Sequence, residues 1–330
     1  MLSLLLLPLS WLYCAVVQIR RRVYRAGWLR CQHLTVPVIV VGNLTVGGTG
    51  KTPLTLRLAD HLRKLGWTPG IITRGYGGLA TTWPQPVHPD SDPALVGDEA
   101  VLLARRSGCV VVAGPDRAAA GVLALHLGRC DILLTDDGLQ HLRLARDLEI
   151  VLVDGERGFG NGRCLPAGPL REPQSRLTQV DLVLYHGGRQ TPRMQLMPGA
   201  AVNLRQSGLT RPLSAFRGQP VFAVAGIGHP DRFFAQLAAA GLDIIPRPYP
   251  DHHRFTPRDV SQWPADPVLM TEKDAVKCTA LAADNHWYLP VEAELDATFL
   301  RQFDARLTLL ARPGHGCLSA GDQIIQDTRA

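Results

Sequence analysis

The sequence predicts an α/β fold, with a mostly parallel sheet carrying helices on both faces and a second, smaller α/β domain beyond it. Three observations predict this. Short apolar runs rich in β-branched residues alternate with helical stretches, the signature of βαβ units and a parallel sheet. A glycine-rich turn at residues 45–52, TVGGTGKT, follows the apolar run 36–41 and leads into a helix-like stretch at 54–65. After an irregular segment, a new series of strand and helix signals starts near residue 216. Together they describe a P-loop nucleotide-binding domain followed by a smaller unit.

The chain has 330 residues, 46% of them hydrophobic and 19% charged, enough to bury substantial cores in two domains. Its seven cysteines (14, 31, 109, 130, 164, 278 and 317) are odd in number, scattered and free of any C-x-x-C pair. Neither a disulfide framework nor a zinc site is expected, and a reducing cytosolic setting fits.

Residues 2–17, LSLLLLPLSWLYCAVV, are almost wholly apolar and are followed by Arg20, Arg21, Arg22, Arg25 and Arg30. A secretory signal has its positive charges before the apolar run, not after it. The run is short for a full span and carries Pro8. We read residues 1–30 as a helical segment embedded in an anionic membrane surface, with its arginines toward cytoplasmic headgroups. A single signal-anchor helix obeys the same charge rule, and a helix buried on the protein's own core is the plain alternative. Although the net charge is +6, the densest arginine cluster adjoins a leucine run and is not interleaved with aromatics, so no nucleic-acid partner is expected. The residues point to no obligate protein partner.

The turn Thr45, Val46, Gly47, Gly48, Thr49, Gly50, Lys51, Thr52 is suited to a polyphosphate. Glycines without Cβ let backbone N–H groups wrap the anion, Lys51 adds charge, and the Thr52 hydroxyl is placed for magnesium. Thr45 stands where the Walker A pattern has its first glycine. Pro53, near the first helical turn, loses no needed hydrogen bond there. Composition adds a hint about Lys51: of 35 basic residues only Lys51, Lys64, Lys273 and Lys277 are lysine, so a retained lysine marks a place for a compact ammonium. The hint is weak at Lys64, which reads as a solvated helix end.

Beyond the turn, strands are expected at 71–73, 109–112, 132–135, 150–153 and 182–185, with helices at about 98–106 and 116–127. Residues 74–97 and 155–173 are crowded with Pro and Gly and read as surface loops. The expected domains are 31–193 around the turn, a connector at 194–215, and a smaller α/β domain at 216–330 closing over the site. Within the latter, 221–225 and 267–270 read as strands, and 230–240 and about 297–311 as helices. Gly226 and Gly228 evoke a dinucleotide fingerprint, but no third glycine follows.

Acidic residues complete a phosphoryl-transfer set. Asp136 and Asp137 follow an apolar strand, where a nucleotide-binding sheet presents carboxylates to magnesium. Asp98 and Glu99 open a helix, so on sequence alone Asp98 reads first as an N-cap and Glu99 as a first-turn partner of the helix dipole. Arg171 and Glu172 lie in the loop GPLREP, otherwise a solvated pair. In Asp251-His252-His253, a carboxylate beside paired histidines is a candidate for proton handling.

These residues resemble one family, tetraacyldisaccharide 4'-kinase, the lipid A 4'-kinase of Gram-negative bacteria. The resemblance rests on GNLTVGGTGKTP at 42–53, TRGYGG at 73–78, VGDEA at 96–100, DDGLQH at 136–141, PAGPLREP at 166–173, DHHRFTPRD at 251–259 and TEKDAVK at 271–277, in that order over nearly the whole chain. The family also has serine or threonine at the position of Thr45. The resemblance implies an ATP- and Mg2+-dependent kinase. It would phosphorylate the 4'-hydroxyl of a membrane-embedded acylated glucosamine disaccharide 1-phosphate at the cytoplasmic face of the inner membrane. By resemblance, Lys51 and Thr52 hold phosphate and metal, and Asp98, supported by His252, is the general base. Glu99, Asp136 and Asp137 organise metal and phosphoryl group, while Arg171 and Glu172 line the site. The competing reading is a P-loop ATPase switch without a sugar acceptor. Many of those carry lysine just before the double glycine, where this chain has Val46.

Overall fold

Strand β1 (Val38–Gly42) is buried at all five positions, as a strand covered on both faces must be. In the computed structural model, which describes residues 5–310, it sits near the middle of a nine-stranded sheet. The other strands are β2 (Pro69–Thr73), β3 (Gln85–Val87), β4 (Val110–Ala113), β5 (Ile132–Asp136), β6 (Leu148–Asp154), β7 (Leu182–His186), β8 (Arg193–Pro198) and, from far along the chain, β15 (Val291–Leu295). Their order is β15-β8-β7-β6-β1-β5-β2-β4-β3. The pairs from β4 through β8 are parallel, and only the outermost strands β3 and β15 run antiparallel to their neighbours. Because the chain leaves β1 and returns at β2 beyond β5, the carboxyl ends of β1 and β5 lie together, with Val41 opposite Asp136. That juxtaposition places the glycine-rich turn beside the acidic pair.

Helix α1 (Leu7–Arg25) precedes the sheet, α2 (Lys51–Lys64) follows the turn, α3 (Pro93–Val96) is one turn long, and α4 (Asp98–Ser107) and α5 (Arg117–Leu127) connect the later strands. Leu54, Leu58 and Leu62 of α2 recur at helical spacing and are fully buried with Ile39 and Ile71 on one side of the sheet. Ala118, Ala120 and Ala124 of α5 pack with Val38, Val40 and Leu133 on the other. The expected loop at 74–97 carries β3 and α3. With Pro84 and Pro86 flanking and interrupting it, β3 lacks the apolar run of a central strand, and it occupies the sheet edge where proline is tolerated.

A second sheet of six strands has the order β10-β9-β14-β13-β11-β12. It is built from β9 (Ala201–Asn203), β10 (Thr210–Arg211), β11 (Pro220–Ala225), β12 (Asp243–Pro248), β13 (Val268–Thr271) and β14 (His286–Leu289), with helices α6 (Pro230–Ala239), α7 (Pro257–Ser261) and α8 (Glu272–Cys278). The four strands from β14 to β12 in that order are parallel, and β9 and β10 pair antiparallel at the other edge.

Two stretches depart from the expected division. Residues 194–215, read as an irregular connector, hold β8 of the first sheet and β9 and β10 of the second. Residues 291–307, assigned to the second unit, return to the first. There β15 covers the β8 edge, and α9 (Ala297–Leu307) buries Phe299, Phe303 and Leu307 in the core that holds Leu54 and Leu58. The physical reason is the uncovered edge of β8, which the returning strand pairs.

Candidate active site

Gly47 and Gly50 have φ of +99° and +94°, the left-handed region that favours glycine, and Gly50 takes the N-cap position of α2. A Cβ at Gly50 would meet Met194 Cε at 3.0 Å and His186 Nδ1 at 3.2 Å, so both conformation and space require its absence. The turn is held from outside. Val46 N–H donates to the Pro169 carbonyl at 2.9 Å, and the His186 ring nitrogen bonds the Thr49 carbonyl at 2.8 Å. Asn43 braces it from below, donating to the Thr45 carbonyl at 2.8 Å and accepting from Lys51 at 3.2 Å.

Beneath the turn lies Asp136 at the end of β5, only 2% exposed. It accepts from the Thr52 hydroxyl at 2.8 Å and the Thr55 hydroxyl at 3.3 Å. Burial, joined by the nearby charge of Glu99, pushes its carboxyl up to about 7 against the pull of Lys51 and Thr52. Asp137 turns the other way, with φ +54°. Burial raises its carboxyl too, but Lys51 at 3.5 Å and Arg171, which donates to both oxygens at 2.9 and 3.0 Å, outweigh that and hold it below the usual range. Two adjacent carboxylates are thus set apart in acidity by their surroundings. Since the folded value of Asp136 lies above the unfolded one, its favourable contribution is complete below about pH 4 and is lost as pH rises through about 7. Relative to Asp136→Asn, the ligand-free protein should therefore lose melting temperature between about pH 4 and pH 7 in a thermal-melt series; parallel slopes would contradict this account.

The expected site residues at 98 and 99 meet the second sheet. Gly97, φ +94°, occupies the N-cap position, so the N-cap reading of Asp98 is corrected: its carboxylate accepts from the Glu99 N–H at 2.9 Å and faces the second sheet. Asp98, 4% exposed, lies 3.1–3.2 Å from His252 Nδ1. Burial pushes its carboxyl up, yet the His252 bond and the Lys273 and Lys277 charges prevail and lower it. The same hydrogen bond raises the pKa of His252 against its own burial. His252 has φ +59° and packs its ring against Tyr76 at 4.8 Å. His253 goes elsewhere, to Asp259 at 3.3 Å and between Tyr249 and Phe255. Glu99 pairs with Lys273 at 3.1 Å, so it is more than a first-turn partner of the helix dipole.

Arg171 joins this group through Asp137, but Glu172 does not. It is 2% exposed and faces Arg176, Arg21 of α1 and Gln140, which ties α1 to the loop. Residues that the sequence reading left unassigned complete the surroundings. Arg117, lowered to about 10 mainly by burial, donates to the Asp137 carbonyl at 3.3 Å. The Gly226–His229 segment lies on the turn: a Cβ at Gly228 would stand 3.5 Å from Gly48 N. Lys273 and Lys277 reach Asp98 at 4.0 and 3.9 Å, and lysine scarcity was the available signal for them. Among the described residues, no group of three His, Cys, Asp or Glu forms a self-sufficient metal cage.

Helix α1 presents two faces. Ser10 donates to the Cys164 carbonyl at 2.7 Å and Tyr13 to the Arg171 carbonyl at 3.1 Å. On the opposite side Leu9, Trp11, Leu12, Val16 and Ile19 are each more than half exposed. No helix among the described residues is long and apolar enough to cross a membrane.

Comparison with known proteins adds an independent line. The family model described as tetraacyldisaccharide-1-P 4'-kinase (LpxK) matches residues 2–308. The chain is 54% identical to the tetraacyldisaccharide 4'-kinase of Nitrosococcus oceani over 89% of its length and 88% of that protein's. It is 50% identical to that of Pseudomonas aeruginosa, over 93% and 94% respectively. Among solved structures it resembles LpxK from Aquifex aeolicus in complex with ATP, with TM-score 0.77, 29% identity, and 94% and 99% of the two chains covered.

Proposed function

We propose a division of labour among these residues from one premise: the chain belongs to the tetraacyldisaccharide-1-P 4'-kinase family. It is an ATP-dependent kinase that transfers the γ-phosphate to the 4'-hydroxyl of a tetraacyldisaccharide 1-phosphate, forming the 1,4'-bisphosphate, lipid IVA. The observation that carries our reading is the Thr52–Asp136 hydrogen bond at 2.8 Å, which joins the phosphate-binding turn to the acidic end of β5.

The backbone amides of residues 47–52 surround the polyphosphate of ATP, and Lys51, held between Asn43 and Asp137, supplies a positive charge to its outer phosphates. The donors near the turn fit magnesium: Thr52, Asp136 and Glu99 offer hard oxygens, and a buried carboxylate raised to about 7 is one that a cation would return to its ionised form. With too few side chains for a cage, the ion would share its coordination with phosphate and water, as magnesium does. Bound there, magnesium supplies charge neutralisation on the phosphates. Asp98 accepts the proton of the sugar hydroxyl as oxygen attacks phosphorus, and His252 holds the carboxylate in place. Arg171 keeps Asp137 ionised and oriented. Incubation with labelled ATP, magnesium and the lipid disaccharide should give a bis-phosphorylated product; ATP turnover indifferent to the acceptor would favour the switch-like alternative.

We further place the enzyme on the cytoplasmic face of the inner membrane through α1. Its outer face combines apolar side chains with exposed Arg20, Arg22 and Arg25, a pattern that lies on anionic lipid. The acyl chains of the substrate then stay in the bilayer while its sugars reach the cleft. Replacing Leu9, Leu12 and Val16 by glutamate should weaken sedimentation with anionic vesicles by about 10³-fold or more, at about 1.5 kcal/mol or more per side chain. Activity on detergent-dispersed substrate should persist, because these side chains point away from the loop. Undiminished vesicle binding would place the membrane contact elsewhere.

A further inference from the structure

Three of the four lysines in this arginine-rich chain gather around the acidic residues, while Lys64 lies at the surface on Asp60. Lys51 belongs to the phosphate turn. Lys273 and Lys277 stand one turn apart on α8, facing the same carboxylate of Asp98. Lys277 is occupied by Asp274 at 2.7 Å and lies over the Phe255 ring at 5.2 Å.

Lys273 is placed differently. Its ammonium has three hydrogens and three acceptors: Glu99 Oε1 at 3.1 Å, His252 Nε2 at 3.3 Å and Asp251 Oδ1 at 3.5 Å. Those acceptors come from α4 and from the loop after β12, so one atom joins the two halves of the site. Burial alone would lower its pKa, but Glu99, Asp98 and Asp251 prevail and keep the ammonium charged.

An ammonium can only donate. A lone pair on His252 Nε2, 3.3 Å from Lys273 Nζ, accepts from the ammonium and leaves the ring proton on Nδ1, where it donates to Asp98 at 3.1–3.2 Å; Asp251 Oδ1, 3.7 Å from Nε2, is the competing partner for a proton there. Asp98 and Asp251 favour a charged ring, Lys273 opposes it, and Tyr76 closes one side. Lys277 lies against Asp98 and Glu99 against Lys273.

We propose that Lys273 is a positioning residue for phosphoryl transfer, whose ammonium fixes His252 with its Nδ1–H on Asp98 and its Nε2 blocked, so that the hydroxyl proton is delivered to the carboxylate and not to the imidazole. In that step the sugar O–H bond breaks, its proton passes to an Asp98 oxygen, the oxygen's electron pair forms the bond to the γ-phosphorus, and ADP leaves. The inference rests on the reading of Asp98 as the base. It also explains why lysine is kept here: a planar guanidinium fork cannot send donors from one point to three acceptors on different elements.

The test uses full-length protein labelled with 15N-histidine, with the His252 signals assigned by loss in His252→Asn. Wild type should show a protonated Nδ1 and a lone-pair Nε2. In Lys273→Met the Nε2 should become protonated at the same pH, with kcat reduced about 100-fold and KM for ATP within about threefold. Lys273→Arg retains charge and serves if the methionine variant does not fold; it should lose kcat comparably. A protonated Nε2 in wild type, an unchanged His252 signature in the variants, or kcat within about twofold of wild type would each overturn the proposal. If Asp98→Asn retains full turnover the base assignment fails, but the ring signature still decides the role of Lys273.

Discussion

Asp98→Asn lowers turnover of the lipid disaccharide by about 10²–10⁴-fold, the range lost with a positioned base, while ATP affinity stays within about threefold. The amide keeps the carboxylate's shape, and it can still accept from Glu99 N–H, a bond of 2.9 Å in the native protein. It cannot take a proton from a hydroxyl. Because His252, Lys273 and Lys277 hold the native carboxyl below its ordinary value, Asp98 is ionised at neutral pH but only weakly basic. A loose phosphoryl-transfer transition state asks little of a base until bonding to phosphorus has begun, so the expected loss falls toward the lower half of that range. Stability should change as well, with a sign that can be checked. A carboxyl lowered on folding contributes above its unfolded value, near 3.8, and that contribution disappears as pH falls through the folded value. The melting temperature of Asp98→Asn should therefore lie below wild type at pH 7, and the gap should narrow in acid. Turnover matching wild type in the presence of the lipid acceptor would remove Asp98 from the mechanism.

Which parts of this site were legible in the sequence follows from how far apart their components lie. The phosphate turn was readable because strand, glycines, Lys51 and helix are contiguous, and each does its work through local backbone geometry. Asp136 and Asp137 were readable for the same reason, as the polar end of an apolar strand. Asp98 was read first as a helix cap, the commoner role of aspartate at a helix start; Gly97 takes that position by adopting φ +94°, which a capping rule based on side chains does not anticipate. Glu172 was expected to line the cleft, yet two arginines draw it inward, one of them 151 positions earlier at Arg21. Lys273 lies 174 residues from Glu99, and no periodicity encodes that meeting. The unusual scarcity of lysine was the trace it left. At the level of the fold, helices and parallel strands announced themselves by pattern. The return of β15 and α9 to the first sheet did not, because pairing to the β8 edge is a property of topology that a single segment's pattern does not carry.

Lys51→Ala is expected to reduce kcat/KM by about 10³-fold, the upper range for removing one preorganised group at a developing charge. The side chain is 12% exposed and stands between Asn43 and Asp137, so its ammonium faces the interior of the turn and not bulk water. In that setting the charge acts across a short, poorly screened distance, and water entering the vacated space would not reproduce it. The fold should survive. Gly47 and Gly50 keep their conformations without Lys51, Thr52 retains Asp136, and Asp137 retains two bonds from Arg171. What changes is the local acidity: losing the ammonium removes a lowering influence from Asp136 and Asp137 together. Asp136, already near 7, should then be protonated at neutral pH and less able to engage a cation. The loss should consequently exceed that of a single phosphate contact and should carry a weaker magnesium response. Lys51→Arg tests the compactness argument, since a guanidinium reaches past the position of the ammonium and should restore little. Steady-state assays across magnesium concentrations, paired with thermal melts, check both claims; near-normal turnover in Lys51→Ala would mean that the turn does not bind the transferred phosphate.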